Sequence, residues 1–64
     1  MYFTMTIPDE ETFYSKNLEV STDEIVTLIN ILITNGGSFQ LESGNYILFS
    51  RKIAENSIFR LYTE

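Results

Sequence analysis

The chain holds nine carboxylates, four basic side chains, no histidine and no cysteine. Those numbers limit its chemistry before any fold is considered. Serine and threonine hydroxyls have no imidazole to take their proton, and there is no thiol nucleophile. Lys16 lies between Ser15 and Asn17, and Lys52 follows Arg51, so neither amine carries the apolar burial that would activate it. Two carboxylates could share acid–base work, but a single small domain has little room for a pocket of several hundred Å³. Zinc needs ligands that are missing here. The run Asp9-Glu10-Glu11 lacks the alternating oxygen spacing of a calcium loop. Gly36-Gly37 ends a helical pattern and no Gly-Lys-Ser/Thr follows, so it is not a phosphate loop. The expectation is a non-enzymatic protein with no metal and no cofactor.

Binding chemistry is better supplied. Asp9, Glu10 and Glu11, with Glu19, Asp23 and Glu24, could form an acidic surface that engages a cationic groove on a partner. Ordinary solvation and helix capping account for part of the same set, Asp23 and Glu24 in particular. A second group is Ile47, Phe49, Ile58 and Tyr62, flanked by Arg51, Lys52 and Arg60. Aromatic rings with cations can stack bases and hold phosphates, which suits single-stranded nucleic acid. The competing reading is a sheet face buried in a homodimer, with the three cations solvated at its edge. It is preferred, because three cations are few and the formal net charge is −5. Residues 1–50 hold seven acids against Lys16 alone.

These groups need elements to position them. Residues 2–7 alternate, with Phe3, Met5 and Ile7 on one side and Tyr2, Thr4 and Thr6 on the other, as in a half-buried strand. Pro8 ends the ladder and Asp9-Glu10-Glu11 reads as a solvated turn, with a short helix from Pro8 as the alternative. Residues 13–20 could add a second strand with Leu18 and Val20 inward. Ser21 and Glu24 then have the spacing of a capping box, and Val20 with Ile25 that of a hydrophobic staple. A helix over residues 25–35 follows, stopped by Asn35-Gly36-Gly37. Seven of those eleven residues are β-branched, so a strand from Val26 is a real competitor. Residues 38–51 read as a hairpin. With Ser43-Gly44 as a two-residue loop, Leu41 faces Tyr46 and Phe39 faces Leu48; a one-residue slip would exchange the faces. Residues 52–56 suggest a turn, and residues 57–63 a last strand with Phe59 and Leu61 on one side and Ile58, Arg60 and Tyr62 on the other.

The resulting fold class is α+β: three to five antiparallel strands on one helix, in the order β(β)αβββ, forming a single domain over residues 1–64. A fold this small buries only about 60% of its unfolded surface, and disulfides are impossible. Residues 25–50 contain one charged side chain, Glu42, and the helix has only the narrow polar stripe Thr27, Asn30 and Thr34. Apolar surface is therefore left for a partner or a second copy, with Ile31 as its test position on the helix. No signal peptide or membrane span is legible, which suggests a cytoplasmic protein. The favoured function is a small acidic protein-binding module. By analogy of size and composition alone, it suits a stoichiometric inhibitor or adaptor of phage or mobile-element type. Alternatives are a homo-oligomer binding a small ligand between subunits, a structural subunit of a larger complex, and a single-stranded nucleic-acid binder acting through Arg51, Lys52 and Arg60.

Overall fold

The structure is a computed structural model and describes residues 1–63. Its elements are β1 (Tyr2–Thr6), β2 (Thr12–Tyr14), α1 (Thr22–Asn35), β3 (Gly36–Gln40), β4 (Tyr46–Ser50), α2 (Arg51–Glu55) and β5 (Ile58–Tyr62). The fold is α+β, with antiparallel strands packed on one main helix. The strands form two sheets rather than one, a three-stranded sheet β2-β1-β5 and the pair β3-β4. A second, short helix precedes β5.

β1 is the central strand of the larger sheet, and its alternation sets both faces. Phe3 and Met5 are fully buried, with Phe13, Phe59 and Leu61 packed around them. Phe3 lies opposite Leu61, and Met5 opposite both Phe59 and Phe13. From Phe3 the core continues into the other sheet. Phe3 and Phe39 have ring centroids 4.8 Å apart, and Phe39 meets Phe49 edge-on at 6.0 Å. Such aromatic contacts add to the area they bury.

The two sheets join at Ser15. Its N–H donates to the Phe3 carbonyl at 2.9 Å. The return bond from the Phe3 N–H goes to the Ser15 Oγ at 3.0 Å, and that hydroxyl donates to the Lys16 carbonyl at 2.9 Å. Beyond Ser15 the chain bonds the hairpin before it returns to the N-terminal strand, where Leu18 N–H donates to the Met1 carbonyl at 2.7 Å. Glu42 N–H donates to the Tyr14 carbonyl at 3.1 Å and Lys16 N–H to the Gln40 carbonyl at 3.0 Å. Ser15 and Leu41 form a single bridge between the sheets. The second strand is therefore shorter than residues 13–20. Leu18 is half-buried against the core, and Val20 is exposed rather than inward.

α1 begins with the complete capping box. Glu24 N–H donates to the Ser21 Oγ, and Ser21 N–H donates to a Glu24 carboxylate oxygen at 2.9 Å. The helix wins over the competing strand because both ends are satisfied and one side of it, though not all of its apolar residues, meets the core. Ile25 and Leu32 are buried, with Leu28 and Ile29 half-buried beside them. Its last turn runs straight into β3. Gly36 closes the helix by donating to the Leu32 carbonyl, at φ +74°. A Cβ there would lie 2.5 Å from the Arg51 nitrogen, so the position admits only glycine.

The hairpin register is one residue away from that expected of a two-residue loop. Phe39 faces Ile47, Ser38 faces Leu48 and Gly37 faces Phe49. The loop has three residues, Glu42-Ser43-Gly44, closed by a 2.7 Å bond from Leu41 N–H to the Asn45 carbonyl, with Gly44 at φ +96°. A type I turn followed by a left-handed glycine is the usual solution at this length. The slip turns Phe39, Ile47 and Phe49 to the core and Tyr46 and Leu48 outward. Residues 52–56 also differ from the expected turn. Ser50 caps α2 by accepting from Ile53 N–H at 3.3 Å, and Asn56 and Ser57 side chains donate back to the Lys52 and Ile53 carbonyls. Ala54 is fully buried, which lets α2 pack close against α1.

Two outcomes are expected. Ser15→Ala leaves the buried Phe3 N–H without its acceptor and should cost about 1–3 kcal/mol in denaturant unfolding. The Ser21 backbone N–H, and then its hydroxyl, hold the Glu24 carboxyl below its ordinary value of 4.5. A depressed folded-state value stabilises above the unfolded value and is lost as pH falls through the folded one. Melting temperature should therefore fall on acidification below about pH 4.5, and Glu24→Gln should flatten that part of the profile.

Candidate functional site

The alternation that buries β1 also builds a second, uncovered surface. On the side of the sheet away from α1 lie Tyr2, Thr4 and Thr6 of β1, Thr12 and Tyr14 of β2, and Ile58, Arg60 and Tyr62 of β5. The register aligns them in rows: Tyr2 beside Tyr62, Tyr14–Thr4–Arg60, and Thr12–Thr6–Ile58. Tyr2 stacks on Tyr62 with centroids 4.9 Å apart and rings 7° from parallel, and its other neighbour is Tyr14 at 6.3 Å. The three tyrosines thus form a continuous aromatic row across three strands. Thr4, beneath this row, is only 2% exposed. The Thr6 and Thr12 hydroxyls share a 2.9 Å hydrogen bond.

Aromatic residues divide cleanly between the faces. All five phenylalanines are in the core or packed against it. Tyr2, Tyr14 and Tyr62 are on the outer face of the larger sheet, and Tyr46 points outward from the hairpin. The phenol explains the division, because a buried hydroxyl needs a partner and an outward one has water. An open cleft of about 540 Å³, larger than expected of a domain this small, continues from the row, lined by Tyr2, Tyr14, Ser15, Lys16, Asn17 and Glu42.

The residues singled out in the sequence distribute unevenly over this geometry. Ile58 and Tyr62 share the outer face, 51% and 38% exposed respectively. Asp9, Glu10 and Glu11 lie in the loop that joins β1 to β2, at the Thr6–Ile58 end of the face. That loop is closed by 3.0 Å bonds from Glu10 N–H to the Ile7 carbonyl and from Ile7 N–H to the Glu11 carbonyl. Ile47 and Phe49 do not join Ile58 and Tyr62. They are half-buried against the core in the other sheet, so the expected four-residue patch is not a single face. Ile31 is on the exposed flank of α1, with the core between it and the tyrosine row. The three cations also separate: Arg60 is on the outer face opposite Thr4, whereas Arg51 and Lys52 are on α2. Arg51 approaches Glu55 at 3.9 Å, an exposed pair of little energetic weight.

Tyr2 and Tyr14 were not among the expected site residues. Their signal was available in the placement of Phe and Tyr at opposite parities along β1 and β2. Among the described residues, no three His, Cys, Asp or Glu side chains converge in a way that could hold a metal ion, and no helix is long and apolar enough to cross a membrane.

Ile31→Lys should leave unfolding free energy within about 0.5 kcal/mol of the parent, as for other exposed positions. Ile25→Ala, on the buried side of the same helix, should cost about 2–5 kcal/mol. Chemical denaturation of both variants checks the assignment of the helix faces. No protein-family model, curated protein or solved structure matches the chain, so its functional reading rests on this geometry.

Proposed function

We propose that the chain is a non-enzymatic protein-binding module whose docking surface is the outer face of the larger sheet. Tyr2, Tyr14 and Tyr62 are its anchors, with Ile58 and Arg60 completing the patch. The loop bearing Asp9, Glu10 and Glu11 forms an acidic rim that selects a basic partner surface. The observation that carries this reading is the uncovered tyrosine row. Tyrosine brings large contact area with few torsions to lose, and it is enriched among residues that dominate binding energy. An acidic rim at the far end of the same face from these anchors raises the rate of encounter with a cationic partner more than it raises affinity. Occupying a partner's surface in this way suits a cytoplasmic stoichiometric inhibitor or adaptor.

A nucleic-acid role through Arg51, Lys52 and Arg60 is less well supported. Tyr2 and Tyr62 cover one face of each other's ring, which leaves fewer free faces for bases to stack on. Arg60 has neither Arg51 nor Lys52 beside it on the same sheet face, and the chain's net charge of −5 opposes phosphate.

Affinity capture with the immobilised chain, quantified by mass spectrometry, tests the proposal. Tyr14→Ala/Tyr62→Ala should reduce recovery of the captured protein by at least about tenfold, the effect of losing one strong anchor. Reversal of Asp9, Glu10 and Glu11 to Lys should slow association and weaken its salt dependence. Ile31→Lys should bind as the parent does. Undiminished capture by the tyrosine variant, or recovery of nucleic acid that survives its loss, would overturn the reading.

A further inference from the structure

Of the four strands that end the two sheets, β2 and β3 are tied to each other around the Ser15–Leu41 bridge, which leaves β5 and β4 each with one edge free of strand partners. The two edges differ in chemistry. β5 carries Arg60 at its centre, so self-pairing about that residue would set Arg60 against another Arg60. β4 reads Tyr46-Ile47-Leu48-Phe49-Ser50 and has no charge and no proline. Those are the devices that normally protect an edge from pairing. Its most outward residue, Leu48, is 79% exposed, and Tyr46 is 63% exposed.

The hydrogen-bond phase of the hairpin determines what this edge offers. Leu41 N–H bonds the Asn45 carbonyl, so the alternating pairs Phe39–Ile47 and Gly37–Phe49 are the ones that exchange backbone bonds. The N–H and carbonyl of Tyr46 and Leu48 therefore point to the open edge. We propose that a second copy of this chain fills it, by antiparallel pairing of β4 with β4 about a two-fold axis through Leu48. In that register Tyr46 faces Ser50 of the copy, Ile47 faces Phe49 and Leu48 faces Leu48. Every strand residue is paired, and no pair contains a charge. The inner side gains an Ile–Phe contact continuous with the core, and the outer side covers the most exposed leucine.

Charge selects the second copy as occupant. Two chains of net charge −5 repel, but six of the nine acids lie between residues 9 and 24, outside the hairpin. From residue 25 to 50 only Glu42 is charged, so the paired strands themselves are neutral, with Arg51 and Lys52 following beyond Ser50 near the other copy's Glu42 loop. A basic partner has its complement at the acidic loop and finds none along β4. The pairing leaves the tyrosine row of each subunit open, and it stands independently of the proposed docking function.

Light scattering after size-exclusion chromatography, over a dilution series, gives the first readout. The parent should run as a dimer at high concentration. Leu48→Lys and Leu48→Pro should run as monomers with the parent's circular dichroism spectrum, because the Leu48 side chain and N–H both face solvent within one subunit. The absence of native cysteine supplies the second readout. Leu48→Cys should oxidise rapidly to a covalent dimer, whereas Ile58→Cys, on the other terminal strand, should not. A parent that stays monomeric at the highest concentration reached would overturn the proposal. So would a dimer that persists in both Leu48→Lys and Leu48→Pro with no cross-link through Cys at position 48.

Discussion

The backbone at Ser15 completes two ladders at once, and its side chain makes this possible. Phe3 is fully buried in the central strand, so its N–H must find an acceptor within the protein. The Ser15 hydroxyl, not a backbone carbonyl, accepts that bond, which interrupts the ladder and lets Lys16 bond the hairpin before Leu18 rejoins Met1. The whole arrangement follows from this exchange. The regular pairing of β1 with β2 stops, the hairpin is joined beside it, and the Phe3–Phe39 contact closes the core between the two sheets.

The same geometry leaves the fold with two surfaces of different character. Both helices lie toward the phenylalanine side, where apolar area is removed from water. The other side of the larger sheet has no layer over it, and it is finished with phenols, threonines and one arginine. That is a surface which tolerates water yet retains large ring area for contact. It is also the surface that an acidic loop borders at one end.

Much of this organisation was legible in the chain. The capping box at Ser21 and Glu24, the alternation in β1, the glycine stop after Asn35 and the facing of β5 all follow from local patterns. Each is a near-neighbour interaction, decided within four residues. The errors lie where local signals were balanced. Glu42-Ser43-Gly44-Asn45 can close either a two- or a three-residue loop, and the choice moves Ile47 and Phe49 from one face to the other. Ser50 and Ala54 could have marked α2, but a five-residue helix is too short to hold itself and depends on Ala54 packing against α1.

By itself the sequence determined the fold class, the two caps of α1 and the split of phenylalanine from tyrosine along each strand. It also set the charge pattern, with acids before residue 25 and a nearly neutral stretch after it. Only the tertiary structure decided which strands are neighbours. It brought Tyr2, Tyr14 and Tyr62 from three strands into one row, and it separated Ile47 and Phe49 from Ile58 and Tyr62. The physical reason is range. Caps and strand parity are set by residues a few positions apart, whereas a shared sheet face is assembled from strands whose pairing depends on hydrogen bonds such as that from Phe3 N–H to the Ser15 hydroxyl, twelve residues apart.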